Sequence, residues 1–265
     1  VELTHLLILG APRSGTTLLA TMISRHTEIA VLNEDAGWAL RRVLGKTVVG
    51  NKRCVPNQIE IKKRHPFHFR FLKEIGLAKE YQSSEYCIED YLKLPNGKII
   101  GLIRGGNDVI SSVMGRSEKN FRVASYRWCR SVEVIDELVR RFPASVLVVS
   151  FENLVVHPRE NMERVAAFLG VEYQDRMLEG PRYNPWYPES GMNYEKVDRA
   201  KREKIDFNLA ERFPEVYRKY EYLLRLSESN VGCNASPLKS HSELNAELTK
   251  SEKPPPLFSP ESGGG

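Results

Sequence analysis

The sequence has little of what marks a metal protein, a membrane protein or a nucleic-acid binder. Its four cysteines, Cys54, Cys87, Cys129 and Cys233, lie far apart with no C-x-x-C spacing, which argues against a structural zinc site. Free thiols in a reducing, cytoplasmic setting are the expectation. No stretch approaches the ~20 apolar residues of a membrane span, and no basic-then-apolar-then-small signal pattern is present. The chain starts at Val1 rather than Met, which leaves open an anchor or address ahead of it. Neither charge dominates: 39 Lys and Arg against 34 Asp and Glu give +5. Such mild basicity suits an anionic small ligand or an acidic substrate and does not argue nucleic acid. There is no internal repeat, and nothing that sets an oligomeric state.

A more telling absence lies in "LLILGAPRSGTTLL", residues 6–19. Gly10 and Gly15 have the spacing of the phosphate-loop pattern G-x-x-x-x-G-K-[ST], and Thr17 fills its last place, but Thr16 stands where the lysine belongs. The apolar run Leu6–Leu9 reads as a buried strand feeding a helix. A helix N-terminus offers unpaired N–H groups and partial positive charge. Gly15 lets the backbone approach an anion closely, and Ser14, Thr16 and Thr17 add hydroxyl donors. Arg13 supplies the missing cation, with a planar fork that suits a phosphate or sulfate. The magnesium logic of triphosphate enzymes is missing too. The strands end in Leu32-Asn33-Glu34, Ile103-Arg104 and Ser150-Phe151-Glu152, so Arg104 puts a cation where the metal would be. The bland alternative is an ordinary strand-to-helix turn.

Along the chain, strand-like runs alternate with helical patterns. Strands are expected at 6–9, 29–32, 99–103 and 145–150. Helices are expected at 16–25, 36–44, from an Asn107 N-cap, over 122–141, and from Pro158 to Gly170. The region 45–95 is mixed in charge and gives no clear elements. The alternation predicts an α/β fold, a parallel sheet with helices on both faces, with ligands at the carboxyl ends of the strands. Residues 1–226 form the expected domain. The remainder, 227–265, is rich in Ser, Pro, Glu and Gly and is expected to be a disordered tail.

A second motif, "IIGLIRGGNDVISSVMGR" at 99–116, ends a strand in Arg104, turns on a Gly pair and enters a helix. Ser112 and Arg116 lie one helical turn apart on one face. Two arginines and a hydroxyl suit a second, doubly charged phosphate. A solvated helix face is the alternative, and it weighs most for Arg116.

Together the two motifs resemble the sulfotransferases that use 3′-phosphoadenosine 5′-phosphosulfate (PAPS), with their P-loop-like fold. The wording "GAPRSGTTLL" is most similar to the branch of tyrosylprotein sulfotransferases and related bacterial enzymes. Similarity continues through "HTEIAVLNED", "GNKRC" and "VLVVSFENLVVHPRENMERVAAFLGV", roughly residues 5–175. The resemblance implies PAPS as co-substrate and no metal. It implies that Arg13, Ser14, Gly15, Thr16 and Thr17 hold the 5′-phosphosulfate, and that Arg104, Ser112 and Arg116 hold the 3′-phosphate. Glu34 would be the general base, Lys52 a lysine near the sulfuryl group, and Arg13 a further charge on it. The acceptor would be a small molecule, a glycan or a peptide. Phe151 stands where the tyrosylprotein branch carries a Tyr. Glu34 or Asp35 capping a helix, and Lys52 as a solvated loop lysine, are the plain alternatives. The histidines at 5, 26 and 157 read as structural. Two other functions stay open: a metal-dependent small-molecule kinase with an atypical P-loop, and a non-catalytic module that binds PAPS or its desulfated product, PAP. A basic segment, 193–204, is expected near the cofactor, and the aromatic stretch 180–191 is read as a packed loop.

Overall fold

The structure, a computed structural model, describes residues 2–34, 45–62, 86–117, 119–183 and 205–228. These belong to a unit spanning Val1–Val231, and a second unit, Gly232–Gly265, lies outside them. The helix expected at 36–44, Asp35, the segment 193–204 and most of 180–191 also lie outside the described residues.

Five parallel strands form the sheet: β1 (Thr4–Gly10), β2 (Ile29–Asn33), β3 (Val48–Cys54), β4 (Gly97–Ile103) and β5 (Val146–Ser150). Their order is β2-β3-β1-β4-β5, with β1 at the centre. A central parallel strand is covered on both faces, so it reads as a continuous apolar run rather than an alternation. Leu6, Leu7, Ile8 and Leu9 are accordingly fully buried. Leu6, Ile8, Ile100 and Leu102 face α1 (Thr16–Ser24), α5 (Phe151–Val156) and α6 (Pro158–Leu169), through Leu19, Met22, Ile23, Leu154, Met162 and Val165. The opposite face carries α4 (Phe121–Arg141). There Gly101 admits the helix so closely that a Cβ would stand 2.8 Å from Ile135 Cγ2. Also described are α2 (Ile88–Leu92), α3 (Gly106–Ser117), α7 (Leu209–Arg212) and α8 (Pro214–Glu228). No helix among the described residues is long and apolar enough to cross a membrane.

Local chemistry sets several boundaries. The Asn120 side chain accepts from the Val123 N–H and caps α4, which starts one residue before the expected 122. Pro158 opens α6, and Gly170 closes it at φ 77°. Asn107 is not an N-cap, because α3 begins at Gly106. Instead its amide donates to Asp206 Oδ1 at 3.2 Å and accepts from the Phe207 N–H at 3.2 Å. β3 went unread in the sequence. α8 runs to Glu228, two residues past the expected end of the domain at 226, with Ser227 buried against the Leu224 carbonyl. His5 and His26 bond the carbonyls of Pro95 and Glu172.

Candidate functional site

Every strand-end residue singled out from the sequence lies at the carboxyl edge of one sheet. β1 delivers its loop between the ends of β3 and β4, since Gly10 pairs with Cys54 on one side and with Leu102 on the other. The loop then needs two left-handed residues, Arg13 at φ 73° and Gly15 at φ 99°. Gly15 precedes α1 without a side-chain cap, and no acidic residue lies in the first turn. The positive end of the helix dipole is therefore left uncompensated by the chain itself.

The loop's hydroxyls do different things. Ser14 is buried, and its Oγ donates to the Ala11 carbonyl at 2.8 Å, so this hydroxyl closes the loop instead of facing outward. Thr16 is also buried, close to the Cys54 thiol. Thr17 is half-buried at the start of α1.

Arg13 and Arg104 bring the two phosphate motifs together. Arg13 Nε donates to Ser112 Oγ at 3.1 Å, from the loop to α3. Arg104 Nη1 donates to the Arg13 carbonyl at 3.3 Å, and its Nη2 meets Asp108 at 3.6 Å. The Arg104 guanidinium rests 4.2 Å over the Phe151 ring, and its Nε is buried without a hydrogen-bond partner. The same ring packs on Gly15, where an added Cβ would stand 2.4 Å from Phe151 Cδ2. Phe151 thus braces both subsites by contact alone. Glu152 fixes the turn after β4 by accepting from the Gly105 N–H at 2.9 Å and the Ser150 hydroxyl at 3.1 Å. Trp128 Nε1 donates to the Arg104 carbonyl at 3.1 Å. Arg116 stands exposed in the last turn of α3, one turn beyond Ser112.

On the other side of β1, Lys52 projects from the end of β3 and is ion-paired with Glu34. It is no solvated loop lysine: its side chain is 3% exposed, against 40% for Glu34. Lys52 Nζ and Glu34 Oε1 each lie 3.9 Å from Cys54 Sγ. Burial pushes the Glu34 carboxyl up, but the hydrogen bond and charge of Lys52, helped by Gln58 and Arg53, outweigh it and hold Glu34 below its ordinary value. Burial, chiefly, raises the Cys54 thiol, which stays protonated. Cys54, Arg53, Gln58 and Trp128 were given no role at this edge from the sequence. A buried basic pair closing a strand was the available signal.

A phosphate-type loop, a strand-end arginine and a carboxylate–ammonium pair thus meet at the carboxyl edge of one parallel sheet, an arrangement suited to an anionic ligand. Residues 83–175 match the model of the sulfotransferase family, a span that holds β4, α3 and β5 and lies downstream of the β1 loop. That segment is similar to the sulfotransferase family, and curated proteins similar to the chain carry the name protein-tyrosine sulfotransferase. One, from Drosophila melanogaster, is 25% identical over 213 residues, covering 67% of this chain and 40% of that protein. Protein-tyrosine sulfotransferase A of Caenorhabditis elegans is 26% identical over 202 residues, covering 64% and 50%. The chain spans about half the length of the curated relatives it matches. Among solved structures, a sulfotransferase from Alicyclobacillus acidocaldarius aligns with a TM-score of 0.47 at 16% identity, over 89% of this chain and 98% of that one. A mouse sulfotransferase complexed with PAP aligns with a TM-score of 0.47 at 14% identity, over 93% and 87%.

Proposed function

We propose that this chain is a PAPS-dependent sulfotransferase whose acceptor is the phenolic hydroxyl of a peptide tyrosine. The observation that carries the reading is the convergence of Arg13, Arg104 and the Lys52–Glu34 pair around one helix N-terminus. The name shared by the relatives favours tyrosine among the hydroxyl acceptors.

In this reading Arg104 and Ser112 hold the 3′-phosphate, with Arg116 as an outer contact. The loop from Arg13 to Thr17 and the N-terminus of α1 hold the 5′-phosphosulfate. Ser14 shapes that loop from within. PAPS supplies an activated sulfuryl group. Glu34 takes the acceptor's proton as the acceptor oxygen bonds to sulfur and the bond from sulfur to the phosphate oxygen breaks. Arg13 and Lys52 offset negative charge on the transferring group and on the departing phosphate, contacts worth roughly 3 kcal/mol each by analogy with oxyanion donors. Before PAPS arrives, Lys52 is occupied by Glu34. An incoming sulfonate competes for that ammonium, which turns Lys52 toward the donor and leaves Glu34 free for the acceptor.

The test is twofold. PAP is expected to raise the melting temperature without magnesium, by ligand linkage. Labelled PAPS is expected to sulfate tyrosine peptides. A shift seen only with ATP and magnesium would replace this reading with a kinase, and PAP binding without transfer to any hydroxyl would leave a binding module.

A further inference from the structure

The helix face that suits a dianion also carries a carboxylate. Asp108, Ser112 and Arg116 follow one another at four-residue spacing along α3, so an acid shares a face with two of the proposed 3′-phosphate contacts. Asp108 Oδ2 lies 3.6 Å from Arg104 Nη2, and the two side chains are 25% and 15% exposed. The pair joins the end of β4 to the first turn of α3, where the positive end of the helix steadies the carboxylate independently of Arg104. An anion that takes Arg104 therefore meets an acid that stays where it is.

Position is not what Asp108 gives Arg104. At 3.6 Å the pair is too long for a hydrogen bond, so it acts through charge. The guanidinium is held by other groups: its Nη1 donates to the Arg13 carbonyl at 3.3 Å, and it rests 4.2 Å over the Phe151 ring. The backbone beside it is fixed by Trp128 at the Arg104 carbonyl and by Glu152 at the Gly105 N–H. Arg104 Nε is buried with no hydrogen-bond partner, so Asp108 has not used up the fork's donors. We propose that Asp108 limits affinity in the 3′-phosphate subsite: it offsets the charge of Arg104 before the nucleotide binds and repels the 3′-phosphate afterwards, so that PAP is held loosely enough to leave. The proposal rests on the PAPS reading with Arg104 on that phosphate. Asp108 differs from Glu34, the carboxylate paired with Lys52, because in that reading Glu34 has a proton to take and Asp108 has none.

A support for Arg104 and a limit on its affinity predict opposite signs. Asp108→Asn removes the charge and keeps the shape. By titration calorimetry PAP is expected to bind about tenfold tighter, the scale of one like charge removed from beside a partly solvated anion. PAP dissociation, followed by competition in stopped flow, should slow by a similar factor, because affinity changes at one site fall mainly on the off-rate. Adenosine 5′-phosphosulfate, which lacks the 3′-phosphate, should bind as it does to wild type. Because Asn brings a donor of its own, Asp108→Ala is measured beside it and should tighten PAP as well; it also decides if the Asn variant does not fold. Glu137→Gln removes the same charge from α4, where Glu137 pairs with Arg141, and should leave both ligands unchanged. PAP that binds Asp108→Ala no tighter than wild type overturns the proposal. So does equal tightening of adenosine 5′-phosphosulfate, or equal tightening by Glu137→Gln. A wild-type chain that binds no PAP sinks the PAPS reading first and this role with it, whereas a PAP-binding wild type with untightened Asp108 variants sinks only the role.

Discussion

Glu34→Gln should separate chemistry from binding, and the structure sets how large each effect is. Gln keeps the size of Glu34 and one acceptor oxygen but loses the charge and the basic site. Proton transfer by a placed base is worth 10²–10⁴ in rate, so kcat should fall by about that factor. Stability should fall as well, because the two ends of the ion pair are unequally solvated: Lys52 is 3% exposed and Glu34 40%. Breaking a buried pair costs about 3–5 kcal/mol. Solvent already screens the Glu34 end, and the Gln oxygen still accepts, so about 1–2 kcal/mol is the reasonable figure here. For a chain of this size that is roughly 2–8 °C in melting temperature. PAP brings anionic oxygens back to the stranded ammonium, so its stabilising shift should be larger in the variant than in wild type. Calorimetry with and without PAP, beside turnover of labelled PAPS, reads all three effects. Asp35→Asn, the same charge change one residue on, is the control. Turnover within about threefold of wild type in Glu34→Gln would refute the base assignment. A smaller PAP shift would refute the picture of Lys52 as an ammonium shared between Glu34 and the donor.

Three further outcomes follow from the same geometry. Arg104→Ala should weaken PAP by roughly 10–100-fold, the worth of a charge-assisted bond, and adenosine 5′-phosphosulfate far less; equal losses by titration would unseat Arg104 from the 3′-phosphate. Gly15→Ala forces a Cβ onto the Phe151 ring at φ 99°, so it should cost over about 1 kcal/mol and abolish the PAP-induced shift; a normal shift would show that the loop tolerates a side chain. The lowered Glu34 carboxyl gives stability that is present above the ordinary carboxylate value of about 4.3 and lost as pH falls through its folded value. The melting-temperature gap between wild type and Lys52→Met should therefore close as pH is lowered through that range, and a gap that widens on acidification would contradict the sign.

The parts of this molecule legible in its sequence are those whose signals are local. The β1 loop and the β4–α3 turn each carry glycines, an arginine and hydroxyls within a few residues of an apolar run. β3 carries no such signal. Val48 and Val49 begin it, but Asn51, Lys52 and Arg53 finish it, and such a run reads as surface. All three are 1–2% exposed. Their burial makes sense only through partners supplied by folding: Glu34 from the neighbouring strand for Lys52, and the Glu34 and Gln58 carbonyls for Arg53. Asn107 misleads for a related reason, since its amide is taken up by Asp206 and Phe207, 99 and 100 residues further along the chain. Cys54 looked like an isolated thiol because its neighbours, Thr16 and Glu34, are brought to it by the sheet rather than by spacing.

The position of β1 has a consequence for how such a protein can change. Glu34 and Lys52 arrive on the two strands to one side of it, while Arg104 and Phe151 arrive at the two strand ends on the other. The half that would recognise the nucleotide and the half that would deprotonate the acceptor are therefore separate stretches of polypeptide on either side of the central strand, tied to each other by the Arg130–Glu60 ion pair. Substitutions that spare β1 and that pair can reshape one half with the strand-end contacts of the other kept. A lineage can retarget its acceptor without relearning its donor, and an engineer can graft the β2 and β3 ends from one such protein to another with the Arg104–Phe151 half left as it stands.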